Sequence, residues 1–241
     1  MIPYLGEKSK FSSFIIPNIP TDISTYVEPF GGLFGIFFNL NHDEFNDVKF
    51  IYNDINYLNF NLFTQLKNNS ETLLSEIRTK KVNIEDYLVS LESIKSIKNE
   101  IELAIDWLIV LTCSSPYEIG KNSWRNSNEF ELFKYKWYSY KDKLSKIDSI
   151  LNMDYKDVIN KYDSESTFFY LDPPYKGKES YYINHNFNEE SHYELSKVLN
   201  NIKGRFLLSY YYFDGIEDLY KGFTFDSKRT IMGTEYLIKN Y

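Results

Sequence analysis

The apolar run Ser166-Thr167-Phe168-Phe169-Tyr170-Leu171 leads directly into Asp172-Pro173-Pro174-Tyr175, and this junction constrains the chain more than any other stretch. A short run rich in aromatic and β-branched side chains predicts a buried strand. Two prolines end it, because proline cannot donate to a sheet ladder and holds the preceding residue extended. The carboxylate of Asp172 and the adjacent carbonyls are therefore held stiffly at the carboxyl end of a strand, the edge where open α/β sheets bind ligands. Tyr175 adds an aromatic face beside them. A planar amine suits such a place. The lone pair of adenine's exocyclic nitrogen is delocalised into the ring, and a carboxylate plus a rigid carbonyl accepting its N–H groups would free it for attack. The plainer alternative is a strand closed by a Pro-Pro turn with a capping aspartate.

The 241 residues suit one α/β domain carrying an insertion. With 43% hydrophobic and 25% charged residues the composition is globular. No apolar run approaches the length of a membrane span, and Met1 to Lys8 lacks a signal-peptide pattern. Cys113 stands alone, so an internal disulfide is excluded and a reducing, cytoplasmic setting is expected. The scattered His42, His185 and His192 do not predict a zinc site. A net charge of −7 argues against non-specific coating of nucleic acid. Between Lys121 and Lys146, however, seven basic residues face three acidic ones, which leaves a local DNA-facing patch.

Earlier in the chain, Tyr26-Val27-Glu28-Pro29-Phe30-Gly31-Gly32 predicts a strand and a glycine-rich turn, followed by an apolar helix through Phe38. That arrangement lets backbone approach a nucleotide. The next strand, Val48 to Tyr52, ends in Asn53-Asp54, and Asp54 lies 24 residues beyond Phe30. This is near the spacing at which an acid meets ribose hydroxyls; capping of the next helix is the alternative. Ser9 is expected to cap a short helix, and Lys8 in the preceding turn is placed to meet a carboxylate. Residues 55–111 are helical by period, with Ile94, Ile97, Ile101, Ile105 and Leu108 on one face. Lys121, Trp124, Arg125 and Asn126 occupy a loop, where Arg and Asn are suited to base edges. Phe130, Phe133, Trp137, Tyr140 and Leu144 predict a helix with its aromatic face inward and its lysines toward phosphates. The segment from Lys176 to Phe187 is polar and Tyr-rich, as a lid would be, and Asn188 should cap a helix. Two further strands are expected at Arg205 to Ser209 and Glu235 to Lys239.

Together these stretches resemble the D12 class of DNA adenine-N6 methyltransferases, in which a recognition insertion precedes the catalytic motif. The likeness rests on Tyr4-Leu5-Gly6-Glu7-Lys8-Ser9-Lys10, Glu28 to Gly32, Asn53-Asp54-Ile55-Asn56, Asp172 to Tyr175 and Glu235 to Tyr241. It implies a Rossmann-like α/β sheet formed by residues 1–56 and 165–241, with a mainly helical target-recognition insertion at 57–164. It also implies S-adenosylmethionine as cofactor, held by Tyr4, Lys8, Phe30, Gly32, Asp54 and Asp172. Asp172, Pro173, Pro174 and Tyr175 would be catalytic, Lys121, Trp124, Arg125 and Asn126 would meet double-stranded DNA, and no metal is required. A cognate restriction endonuclease is a partner such an enzyme can have. Phe34 stands where the family usually has glycine, and Trp124-Arg125-Asn126 keeps only a fragment of the GATC-reading pattern. A catalytically silent DNA-binding homologue, or an amino-methyltransferase acting on cytosine N4, RNA or a protein amide, remain the alternatives.

Overall fold

Five strands run parallel through the middle of the molecule: β1 (Thr25–Glu28), β2 (Lys49–Asn53), β3 (Ile147–Leu151), β4 (Thr167–Leu171) and β5 (Arg205–Tyr211). A hairpin of β6 (Thr224–Thr230) and β7 (Gly233–Lys239) completes the sheet in the order β3-β2-β1-β4-β5-β7-β6, with β7 antiparallel to both its neighbours. The computed structural model describes residues 8–96, 99–115, 119–177, 187–230 and 233–241. Chain order reverses at β1, which pairs with β2 on one side and β4 on the other. Such a switch point opens a crevice at the carboxyl ends of the strands.

Side chains that alternate along the strands serve two separate cores, as the two-residue period requires. Tyr26, Phe50, Tyr52, Phe168 and Tyr170 enter one. Val27, Ile51, Phe169 and Leu171 enter the other. All five residues of β4 are buried, which is why that strand reads as a continuous apolar run.

The first core is roofed by helices. After the short α1 (Ser12–Ile15) come α2 (Tyr57–Asn68), α3 (Ser70–Ile77), α4 (Ile84–Ser93), α5 (Glu100–Cys113) and α6 (Glu129–Ser145). Leu103 through Cys113 of α5 are buried save Asp106, so this helix runs through the middle of the layer. The other face carries α7 (Tyr155–Tyr162), α8 (Glu189–Leu199) and the one-turn α9 (Ile216–Leu219). Among the described residues no helix is long and apolar enough to cross a membrane.

The expected Rossmann-like sheet is present, and several local expectations need correction. Residues 147–151 form β3, paired with β2, and 155–162 form α7, so the final part of the stretch 57–164 expected as an insertion belongs to the sheet and its flanking helix. The helices of that stretch do not build a core of their own, since Leu58, Leu62, Phe63 and Trp107 share one with Phe50 and Tyr52. The apolar face read across 94–108 is interrupted: Ile94 is the C-cap of α4, which ends at Ser93, while Ile101, Ile105 and Leu108 lie on α5, which Asn99 caps by accepting from Ile101 N. Ile97 lies outside the described residues. The short N-terminal helix starts as a 3₁₀ turn at Lys8–Phe11, and Phe11 rather than Ser9 occupies the cap position of α1. Asn188 caps α8 as expected, in a capping box with Ser191.

Candidate active site

The turn after β1 is shaped by close backbone approach. Gly31 N donates to Asn53 O at 2.7 Å, and a Cβ on Gly31 would lie 2.4 Å from the Tyr52 ring and 2.9 Å from Asn53 O. Only glycine fits. Gly32 has φ +50°, and the space where its Cβ would stand is open. Phe34 also takes a left-handed backbone, at φ +55°, a conformation that suits glycine and strains a side chain. Its ring avoids the turn by entering the core, stacked on Phe37 at 4.2 Å and edge-on to Tyr52 at 5.0 Å. The helix expected after this turn shrinks to a 3₁₀ turn at Phe37–Asn39, because two left-handed residues interrupt its start.

Asp54, at the end of β2, is tied to that turn. Its Oδ2 accepts from Gly32 N at 2.7 Å and its Oδ1 from Asn56 N at 2.7 Å, with Asn59 Nδ2 at 3.4 Å from Oδ2. Burial raises its carboxyl, and the Asn56 and Gly32 N–H groups offset part of that. Asn53 beside it donates to Pro29 O at 2.8 Å and Met153 O at 3.0 Å, and accepts from Met153 N at 2.9 Å. One buried amide thus links the ends of β1, β2 and β3. Phe30 stacks on Tyr155 at 5.0 Å and meets Phe187 edge-on, giving this corner an aromatic wall.

Across the switch point, Asp172 follows β4, and its side chain is 18% exposed. Tyr175 Oη stands 3.0 Å from Asp172 Oδ1 and 3.1 Å from Glu235 Oε1, and Lys8 Nζ lies 3.5 Å from Asp172 Oδ1. Lys8 also donates to Glu235 and to the Tyr175 hydroxyl. The expectation that Lys8 meets a carboxylate is met twice. Burial pushes the Asp172 carboxyl up to about 7; the Lys8 ammonium pulls it down, and the Glu235 charge raises it. Burial alone would lower Lys8, but the carboxylates of Asp172 and Glu235 prevail and raise it. Glu28, at the end of β1, is buried and held well above the usual carboxylate range by desolvation, although the Tyr26 hydroxyl donates to it at 2.6 Å.

Tyr175 departs from expectation in one respect. Its ring is 5% exposed, lying under the Lys8 ammonium and edge-on to Tyr211 at 4.8 Å, so in this arrangement no base can stack on it. What it contributes here is its hydroxyl. Tyr4 lies outside the described residues, as do residues 178–186 of the lid expected from Lys176 to Phe187.

The loop preceding α6 folds back on α5. Ser114 and Trp124 form an antiparallel bridge, Ser115 N donates to Ser123 O, and Arg125 N donates to Cys113 O. Trp124 is half-buried against Tyr87 and anchors the loop, leaving Lys121, Arg125 and Asn126 exposed. On α6 the aromatic face does point inward, with Phe130, Phe133, Trp137 and Leu144 buried. Its lysines are less available than expected: Lys134 reaches Lys80 O and Glu131, Lys141 pairs with Glu71, and Lys143 reaches Phe38 O.

A family model for D12 class N6 adenine-specific DNA methyltransferases matches residues 4–234, which is nearly the whole chain. The chain belongs to that family. It is also 25% identical over 215 residues to the Type II methyltransferase M.CviBI of Paramecium bursaria Chlorella virus NC1A, covering 85% of this chain and 80% of that protein. The protein is thus an enzyme, a site-specific methyltransferase whose substrate is DNA. The family implies a methyl donor, and the residues fit one carrying a ribose: a buried carboxylate with spare lone pairs, open space at Gly32 and an aromatic wall at Phe30. Glu235, which accepts from Lys8 and stands beside Tyr175, entered the sequence reading only as part of the closing pattern, without a place among the expected site residues. The available signal was a carboxylate placed in an otherwise apolar strand, Glu235-Tyr236-Leu237-Ile238.

Proposed function

We propose that this methyltransferase moves the methyl group of S-adenosylmethionine to N6 of an adenine rotated out of duplex DNA. Rotation is needed because the amino group is otherwise stacked inside the helix. The donor supplies an electrophilic methyl on a sulfonium that departs as a neutral thioether. Gly32 leaves room for it, Asp54 offers acceptors for the ribose, and Phe30, Lys8 and Tyr4 complete its pocket. Asp172 and the carbonyl of Pro173 accept the two N–H groups of the adenine amine, and Pro174 keeps that carbonyl rigid. These contacts strengthen as the nitrogen becomes tetrahedral, so they favour the transition state. A carboxyl titrating near neutrality can then take the proton that the nitrogen releases.

The observation that carries this reading is the meeting of three strand ends at one switch point: Asp54 bonded to the Gly32 turn on one side, and Asp172 on the other, partly open. The recognition role falls to the segment between α2 and β3, where exposed Lys121, Arg125 and Asn126 project from a loop anchored by Trp124. Following its Type II relative, a cognate restriction endonuclease is the natural partner. The working compartment would be a reducing, cytoplasmic one with access to DNA.

The test is incubation with methyl-labelled S-adenosylmethionine and DNA, RNA or protein. Label is expected in the adenine of DNA, and Asp172→Ala should abolish it while leaving donor binding largely intact. Label confined to cytosine, RNA or protein, or full activity in Asp172→Ala, would overturn the reading. Methylation-sensitive sequencing of host DNA would identify the recognised sequence.

A further inference from the structure

Glu235 is fully buried on β7, the last strand of the sheet, yet its carboxylate reaches the group at the end of β4. Its Oε1 accepts from Lys8 and lies 3.1 Å from Tyr175 Oη, while its Oε2 has no hydrogen-bond partner among the described residues. A buried carboxylate without full satisfaction is costly, and burial of this kind is retained where a charge is needed. The Lys8 ammonium sits closer to Glu235 than to Asp172, from whose Oδ1 it stays 3.5 Å away.

We infer that Glu235 is a positioning residue that holds the Lys8 ammonium to itself and so keeps the Asp172 carboxylate available to the substrate amine. This rests on the proposed role of Asp172. Without a second carboxylate, a buried ammonium a few ångströms away would close onto Asp172 and form an ion pair with it. An aspartate locked in that pair is a weak acceptor for a neutral N–H and a weak base for its proton. Without the ammonium, Asp172 would stand beside Glu235 as one of two like charges and be driven toward its neutral form, a weaker acceptor that cannot take up a proton. The arrangement of one cation between two carboxylates leaves Asp172 ionisable yet uncommitted. Tyr175 supports it by setting its hydroxyl between Oδ1 of Asp172 and Oε1 of Glu235, which spaces the two carboxylates and leaves Oδ2 of Asp172 for the substrate.

The other charged or titratable groups facing this cluster are Glu28 and Tyr170, which sense the Asp172 charge, and Tyr211, which lies against Lys8. Burial holds Glu28 and Tyr170 well above their ordinary ranges and favours their neutral forms, which leaves Lys8, Asp172 and Glu235 as the paired charges of the cluster.

The experiment is the pH profile of single-turnover methyl transfer to adenine in DNA, measured on the full chain for the parent, Asp172→Ala, Glu235→Gln, Lys8→Met and the double variant, with circular dichroism and a melting curve for each. In Glu235→Gln the acid limb is expected to move down by about one to three pH units, and the plateau rate to fall about tenfold or more. In Lys8→Met the limb should move up by a similar amount. The double variant should return toward the parent. Opposite displacement of the two single variants is what a merely structural residue would not produce. If Glu235→Gln does not fold, Lys8→Met carries the test alone, and a limb that stays or moves down overturns the inference. Folded variants whose limbs stay fixed, or move in one direction together, also overturn it. A parent that does not methylate adenine, or an active Asp172→Ala, would instead reject the proposed function and this inference with it.

Discussion

The backbone N–H of Gly32 donates to Oδ2 of Asp54 across 2.7 Å, so the glycine turn of β1 and the acid of β2 form one unit. Asp54→Ala should therefore lose two things together. A buried N–H left without its acceptor costs about 1–3 kcal/mol of stability, and the turn loses its fixed position. Calorimetric titration should register at least a tenfold weaker affinity for S-adenosylmethionine, alongside a lower melting temperature. An unchanged affinity would mean that Asp54 only caps the turn.

Stability should respond to pH through Asp172. Its ordinary value is 3.8 and its folded value about 7, so between these the folded chain keeps a proton that the unfolded chain has lost. Stability then falls as pH rises across that window, by at most about 1.4 kcal/mol per pH unit, with no further change above both values. Replacement by Asn removes this penalty. Asp172→Asn should be inactive yet gain stability over the parent at pH 8, with the gain shrinking toward pH 5, as read from urea unfolding at the two pH values. A gain that is the same at both would contradict the burial of this carboxyl.

Phe34 presents two opposed effects. Its left-handed backbone costs roughly 1–2 kcal/mol, which glycine would relieve. Removing a fully buried ring packed on Phe37, Tyr52 and Phe63 costs about 3–5 kcal/mol. The loss wins. Phe34→Gly should destabilise the protein by about 1–4 kcal/mol in chemical denaturation while changing donor affinity less than Asp54→Ala does.

Salt dependence should separate free cations from committed ones. Lys121→Ala and Arg125→Ala remove exposed charges of the recognition loop, and each should reduce the slope of log K against log salt by about 1. Lys141→Ala, whose ammonium pairs with Glu71, and Lys134→Ala, tied to Lys80 O and Glu131, should change it far less. Fluorescence anisotropy with labelled duplex across a salt series measures the slopes. Equal effects from both pairs would disperse the interface along α6.

Much of this arrangement was legible because local sequence and tertiary demand agree. The β4 run reads as a buried strand because both its faces are covered, and its prolines end it where the crevice opens. Gly31 and Gly32 could be recognised as a turn, since the approach of Asn53 O and a left-handed φ each require them. β3 was hidden, being a five-residue edge strand after long helices. β6 was hidden too, because Thr-Phe-Asp-Ser-Lys-Arg-Thr is polar as an edge strand should be, and so resembles a loop. Nor does spacing reveal that Lys8 and Glu235, 227 residues apart, share one bond, or that neighbours would cover the ring of Tyr175. Such facts belong to the assembled sheet.

The position of β7 has a consequence for assembly. β7 lies between β5 and β6 and carries the carboxylate that holds Lys8, a residue 227 positions earlier in the chain. A chain in which that strand has not yet paired carries the aspartate, the glycine turn and the ammonium, but not the second carboxylate that holds the ammonium back. Until β7 pairs with β5, Lys8 would be free to close on Asp172, so methyl transfer should begin only once that strand has docked.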